Sequence, residues 1–438
     1  MRLIRLLKHD LAREAGDWVE DGVISEAQAE QICARYEVDY HRAQERTLGY
    51  RILIGLAYLF IGLAVITLIG ANWEEIPRAL RMGGLIALTL VTQGVAFKVY
   101  LSGDRKAGEG LFLLGNLFFG AAIILIAQVY HLGEHMPDGI FWWALGSLPF
   151  ALITRSPWIA EQSLLLALLW FFLESSLGFY PALFPIFLLG ALYILLSGRA
   201  SVILLLTFIF GLGFWLEFSL SEFWRLQDGK FSADIYPENL AVAVSLFILM
   251  YCFAHWLATR PSAVAKDYAA VISIWCLRFT LIGLLIFSFE YPWEEMIEAP
   301  WSHLPSMWAV VGVMSAVSIV LALLSQRLLF GLGLCGVFAA VLAFVTNASS
   351  SDYAVWLQIF TNFALIACGI WLIFRGIHDG ISHYFFLGVM AVLLTALLRY
   401  IDLIGDYIGA SLLFILFAVL LLAAAKYWKY HQAGGSLR

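Results

Sequence analysis

Arg278 stands near the middle of an apolar run, residues 269–289. A basic group at the centre of a membrane helix costs about 2.5–3.5 kcal/mol on insertion scales, so it should face other helices and find a partner. Glu174 and Glu217, near the ends of two other apolar runs, are the candidate partners. Such a group can be a counter-charge for a substrate or part of an ion path. It can equally form an ion pair that only clamps helices together. Asn116, Gly120, Ile124, Gln128 and His131 recur along another run. At about 100° per residue they fall in one stripe. That stripe either lines a hydrated cavity or hydrogen-bonds neighbouring helices, and Gln93 fits both uses.

His131-Leu132-Gly133-Glu134-His135 spells H-x-x-E-H. Two imidazoles one turn apart can hold zinc on a helix, with the glutamate as general base. Gly133 and Pro137 weaken that helix and no further ligand is evident, so incidental divalent-ion binding is the stronger reading and a metalloprotease the weaker. Trp73-Glu74-Glu75 and Trp293-Glu294-Glu295 each set an aromatic face beside two carboxylates. That suits a cation, an amine or a sugar. It suits equally an interfacial tryptophan next to solvated acids. Gly331, Gly333 and Gly336 spell G-x-G-x-x-G but lie inside an apolar run. A dinucleotide site needs a preceding strand, so close helix packing is the expected use. The five cysteines carry no C-x-x-C spacing and read as small hydrophobes. No catalytic pair, resident metal or cofactor is assigned, which leans against an enzyme.

The elements that carry these residues follow from composition. Of the 438 residues 62% are hydrophobic, only 13% are charged, and the net charge is −6. Soluble domains carry about 25% charged residues. A soluble enzyme, a nucleic-acid binder and a disordered chain are excluded. Residues 1–49 hold 17 of the charged side chains, seven basic and ten acidic. They read as a cytoplasmic helical hairpin. Leu3, Ile4, Leu6, Leu7 and Leu11 recur at helical spacing, Gly22 breaks the run, and Ser25 with Gln28 makes a capping box for a second helix.

Residues 50–438 read as a polytopic membrane domain. A bilayer core of about 30 Å needs roughly 20 apolar residues per helix. Fourteen runs qualify: 50–70, 79–101, 110–131, 139–154, 159–177, 179–197, 200–220, 239–258, 269–289, 306–324, 327–346, 354–374, 383–401 and 408–428. The expected class is an all-α integral membrane protein of about 14 transmembrane helices. The first run has no cleavage site after it and reads as a retained span. With the N-terminus inside, 20 of the 26 Lys and Arg residues fall on inside segments, five fall outside, and Arg278 lies within a span. By the positive-inside rule both termini are expected in the cytoplasm.

Trp18, Gly22-Val23-Ile24, Gln28, Asn72-Trp73, the run from Gly115 to Gln128, and Gln128-Val129-Tyr130-His131 carry a family resemblance. The chain resembles, over roughly residues 10–155, the bacterial predicted-membrane-protein family called domain of unknown function 2157. Gly405-Asp406-Tyr407 and Ser411-Leu412-Leu413-Phe414 resemble the end of related multi-pass proteins. The stretch 160–350 is similar only in hydropathy. The resemblance implies topology and a bacterial inner-membrane setting, and supplies no mechanism.

Arg278 and the polar stripe make transport or translocation of a small or lipid-linked solute the leading expectation. A non-catalytic scaffold, sensor or assembly component is the alternative. An integral-membrane enzyme acting on a lipid-linked substrate comes third. The expected partners are membrane lipid and such a solute, and no nucleic acid.

Overall fold

A computed structural model of the chain describes residues 14–16, 18–35, 40, 60, 77–130, 135–228, 236–378, 382–402, 411, 415 and 419. The chain divides into two compact units, Met1–Gly84 and Leu85–Arg438.

In the first unit the sequence acts locally. The Ser25 N–H donates to Gln28 Oε1 at 2.8 Å, and the Gln28 N–H donates to Ser25 Oγ at 3.4 Å. This reciprocal capping box satisfies donors that a helix start leaves unpaired. It opens α1, Glu26–Arg35. Just before it, Gly22 takes φ +70°, a left-handed conformation that glycine adopts without a Cβ penalty. The Val23 N–H there turns back to the Trp18 carbonyl at 2.8 Å. Ala15, Ala29, Cys33 and Tyr40 form a small core with Trp18, Val19 and Ile24 around them. Of the hairpin expected over 1–49, only residues 14–16, 18–35 and 40 are described. The first apolar run, 50–70, lies outside the described residues except for residue 60, as do Trp73, Glu74 and Glu75.

From residue 77 on, the described residues form helix after helix. These are α2 (Arg78–Leu101), α3 (Arg105–Tyr130), α4 (Pro137–Thr154), α5 (Pro157–Ser176), α6 (Pro185–Ser197) and α7 (Val202–Asp228). Then come α8 (Pro237–Ala258), α9 (Ala263–Ile286), α10 (Tyr291–Glu298), α11 (Leu304–Leu324), α12 (Leu328–Asn347), α13 (Ala354–His378) and α14 (Ser382–Asp402). Proline opens α4, α5, α6 and α8, where its missing N–H and fixed φ cost nothing. The Ser262 hydroxyl caps α9 by accepting from the Ala265 N–H at 3.4 Å.

Among the described residues nine helices are long and apolar enough to cross a membrane. They include α2, α3, α5, α7, α8, α9, α11 and α12, and α13 together with the short turn before it. The chain is a membrane protein with multiple apolar helices. Their outward faces carry Leu90, Leu165, Leu169, Phe279, Ile282 and Phe363, surfaces suited to lipid rather than water.

The expected run 179–197 needs correction. Only Pro185–Ser197, 13 residues, is helical, and residues 182–184 form a turn. At about 1.5 Å per residue that helix falls well short of a bilayer core. Pro181 and Pro185 are the cause, since neither can supply an N–H to continue a helix through them. The segment after α9, expected as a plain loop, contains α10. The last run, 408–428, lies outside the described residues apart from single positions.

Within the second unit the most extensively packed pairs are α4 with α5, α8 with α11, and α13 with α14. The largest core gathers Ile159, Leu164, Phe171, Phe184, Phe187 and Leu204 with residues of the later helices. Phe171 sits with its ring centre 4.8 Å from Phe184 and 4.9 Å from Phe218, tying α5 to α7.

Candidate functional site

The polar stripe of α3 divides in two. Its first members are buried in hydrogen-bonded helix packing. Gln93 Nε2 on α2 donates to Asn116 Oδ1 at 2.9 Å, and Asn116 Nδ2 donates to Gln162 Oε1 on α5 at 3.1 Å. Trp143 Nε1 on α4 donates to the Asn116 carbonyl at 2.7 Å. Asn116 itself is fully buried. One turn on, a Cβ at Gly120 would collide with the Trp143 ring. Small residues beside interhelical amides are how membrane helices approach closely. Ile124 and Gln128, by contrast, are exposed, and His131 lies outside the described residues. The geometry joins Gln93, Asn116 and Gln162 into one knot across α2, α3 and α5.

Removing the centre of that knot should weaken the packing. Asn116→Ala is expected to cost about 0.6–1.7 kcal/mol, from the average to the largest value measured for interhelical hydrogen bonds in a membrane protein. Thermal unfolding of the purified chain in detergent measures it. A variant as stable as the wild type would show that the three amides do not hold the helices.

A second polar cluster lies where α7 ends and α8 and α11 begin. The Trp224 ring, 1% exposed, stacks on the His303 ring with centres 5.0 Å apart and planes 8° apart. Tyr236 meets both rings edge-on. Trp224 Nε1 donates to Ser306 Oγ at 2.9 Å. The His303 backbone N–H donates to Glu238 Oε1 at 2.8 Å. Glu238 is fully buried, and its other oxygen has no partner. Beside it, Asn239 Nδ2 donates to Glu217 Oε2 at 2.9 Å, and Glu217 Oε1 is also buried without a partner. Glu161 on α5 repeats the pattern: Thr207 Oγ1 donates to Oε1 at 2.6 Å, while Oε2 is buried and unpartnered.

A third cluster joins α4 to α5. His135 Nε2 lies 2.8 Å from Glu174 Oε2, and the Phe179 ring meets the imidazole edge-on at 5.3 Å. Asp138 completes a group whose ligand atoms all lie within 4.8 Å of one another. The hydrogen bond to the Glu174 carboxylate raises the His135 pKa from its ordinary value, against a smaller opposing effect of desolvation.

Arg278 is not brought to either expected carboxylate. It is exposed on α9, with its guanidinium carbon 5.0 Å from the centre of the Trp275 ring. Among the described residues no carboxylate stands in ion-pair distance of it. The reason is helical register. Ala269, Ile272, Cys276 and Leu281 form the buried face of α9, and Trp275, Arg278, Phe279 and Ile282 share the exposed one. Stacking on Trp275 lets a long basic side chain lie along an apolar surface.

Nor does Trp293 offer an open aromatic face. It is buried on α10, and its Nε1 donates to the Phe287 carbonyl at 2.7 Å. Its ring packs with Val345, Ala354 and Leu357. Glu294 is half-buried and Glu295 exposed. Of the glycine motif only Gly331 packs closely, against Ala322, while Gly333 and Gly336 face open space.

Sequence reasoning passed over Glu161, Trp224, Glu238 and His303. It also passed over Glu109, which accepts from Arg199 Nη2 at 2.5 Å. Glu238 carried one signal, an acid directly after the proline that opens an apolar run. Compared with curated proteins and with solved structures, the chain finds no match. Over residues 16–160, the N-terminal third that contains the capping box, Gln93 and Asn116 of the amide knot, and the start of α5, the chain matches the family model described as predicted membrane protein (DUF2157).

Proposed function

We propose that the protein binds and moves a small or lipid-linked solute through the membrane, with buried carboxylates as its ionic groups. One observation carries this reading. Glu161, Glu217 and Glu238 all lie in membrane-length helices, each with one oxygen hydrogen-bonded and the other buried without a partner. Ionisable groups inside membrane helices are costly, and they mark substrate and ion paths. Carboxylates kept only for packing would be expected to have both oxygens satisfied. A cationic or hydroxyl-bearing solute would supply what these oxygens lack. The Lys and Arg bias of the loops supports cytoplasmic termini. The family resemblance supports a bacterial inner membrane.

The amide knot of Gln93, Asn116 and Gln162 favours a second reading, a non-catalytic scaffold or sensor, because its donors are spent on helix packing. Accessibility separates the two. Ser221, whose hydroxyl donates to the Glu217 carbonyl at 3.2 Å, and Ser245, deeper on α8, are both buried. Single cysteines there, in a chain freed of the five native ones, should react with a small membrane-impermeant thiol reagent. The reagent is applied to intact cells and to inverted vesicles. Transport requires water to reach such positions during the cycle. Silence at both sites from both sides, with protein at its normal level, would replace transport by the scaffold reading.

A further inference from the structure

We propose that His135, Asp138 and Glu174 form a binding site for one divalent transition-metal ion, held between the start of α4 and the end of α5. The site stands apart from the buried carboxylates of the transport reading and does not depend on them.

The residue types suit such an ion. One imidazole and two carboxylates are a donor set that zinc and manganese accept, and no soft thiolate is involved. The spacing suits it as well. Ligands at about 2.0–2.2 Å from a metal lie roughly 3–4.4 Å from one another. The three donor atoms already lie within 4.8 Å of each other, so modest side-chain rotation closes the set.

The backbone holds these positions in place. Pro137, the first residue of α4, stands between His135 and Asp138, and the Asp138 N–H donates to the His135 carbonyl at 3.3 Å. Glu174 sits in the last turn of α5. The N–H groups of Leu177 and Phe179 both donate to its carbonyl at 3.1 Å. Gly178, at φ +84°, makes that return possible. The chain thereby lays Phe179 on the edge of the His135 ring. α4 and α5 are also among the most extensively packed pairs in the unit, so Asp138 and Glu174 ride on rigid elements, and His135 lies two residues before α4.

Charge supplies the driving force. The Glu174 side chain is only 14% exposed, and the Asp138 carboxylate is gathered close to it. Among the described residues no Lys or Arg pairs with either acid. Two carboxylates and an imidazole left without a fixed cation, next to an apolar helix bundle, bind a small dication strongly.

The test uses the full-length chain, purified in detergent and stripped with a chelator. Titration calorimetry with Zn2+ alone, and with Mn2+ alone, should show one ion per chain. Glu174→Gln, Asp138→Asn and His135→Gln should each weaken the tighter ion at least tenfold. Glu298→Gln, an exposed acid on α10, should leave it unchanged. Helical circular dichroism and a single gel-filtration peak identify the variants that fold. For the wild type, zinc-edge X-ray absorption should report a single imidazole with oxygen ligands, which keeps the site testable if a variant fails to fold. Three results would overturn the proposal: no stoichiometric binding, wild-type affinity in all three variants, or a zinc ion bound by several imidazoles or by sulfur. Loss of binding in a His131→Ala/Glu134→Ala double variant, with the three single variants unaffected, would overturn it too.

Discussion

Trp224→Ala should destabilise the protein by about 3–5 kcal/mol, the range for truncating a buried tryptophan. The ring is almost wholly enclosed and lies flat on His303. Deleting it leaves a cavity between α7, α8 and α11. It also takes the indole donor from Ser306 Oγ, which then keeps only its own bond to the His303 carbonyl at 2.9 Å. Trp224→Phe separates the two contributions. It keeps one aromatic ring and loses the donor with the rest of the indole, so a smaller loss of about 1–2 kcal/mol is expected. Thermal unfolding in detergent and the steady-state level in membranes both read the difference. An alanine variant matching the wild type in both would mean that the ring does not bind these helices together. The same cluster holds Glu238, so Trp224 variants should also disturb whatever Glu238 and Glu217 bind. The phenylalanine variant, still packed, is the one in which such a loss reports function rather than folding.

What the sequence revealed and what it hid follow a physical division. Local and length-dependent features were legible. The capping box of Ser25 and Gln28 involves residues three apart, so its spacing alone announced it. A bilayer sets a minimum helix length, so hydropathy located the long helices from α2 to α13. Partner choice between distant helices was not legible. Glu174 was a reasonable match for Arg278 by charge, yet the segment before α4 brings His135 to within 2.8 Å of it. An apolar helix hydrophobic on every side also conceals which face is inward. The Arg278 face of α9 could therefore not be chosen, and the structure exposes it beside Trp275. Glu238 stands directly after Pro237, just before the apolar run 239–258, where nothing local marks it as buried. Its burial is produced by the backbone before α11, 65 residues further along, folding onto it. The stripe of α3 was legible as a stripe, but only packing shows that Asn116 is inside and Gln128 outside.

Glycine packing gives the second large effect, and of the glycine motif only Gly331 takes part in close packing. The G-x-G-x-x-G run of α12 attracts attention, yet a Cβ at Gly333 or Gly336 would meet nothing within 4 Å. The close approach is between α13 and α14. A Cβ at Gly388 would stand 2.5 Å from the Gly369 carbonyl oxygen and 2.9 Å from the Ile373 nitrogen. One at Gly376 would stand 2.5 Å from the Phe385 nitrogen. These obstacles are backbone, which cannot rotate aside as a side chain can. Gly388→Ala must therefore push the two helices apart, along an interface that includes Leu365, Leu372 and Ala391. The expected cost is about 1–3 kcal/mol, the usual range for overpacking. Gly333→Ala is the control, since it adds the same methyl group to a helix with room for it. It should leave stability unchanged or raise it by up to about 1 kcal/mol through helix propensity. Unfolding temperatures of both variants, measured in one detergent, give the comparison. Equal stability would mean that α13 and α14 do not meet backbone to backbone. A selective loss at Gly388 would mean that α13 and α14 meet there backbone to backbone, an approach that small residues make possible between membrane helices.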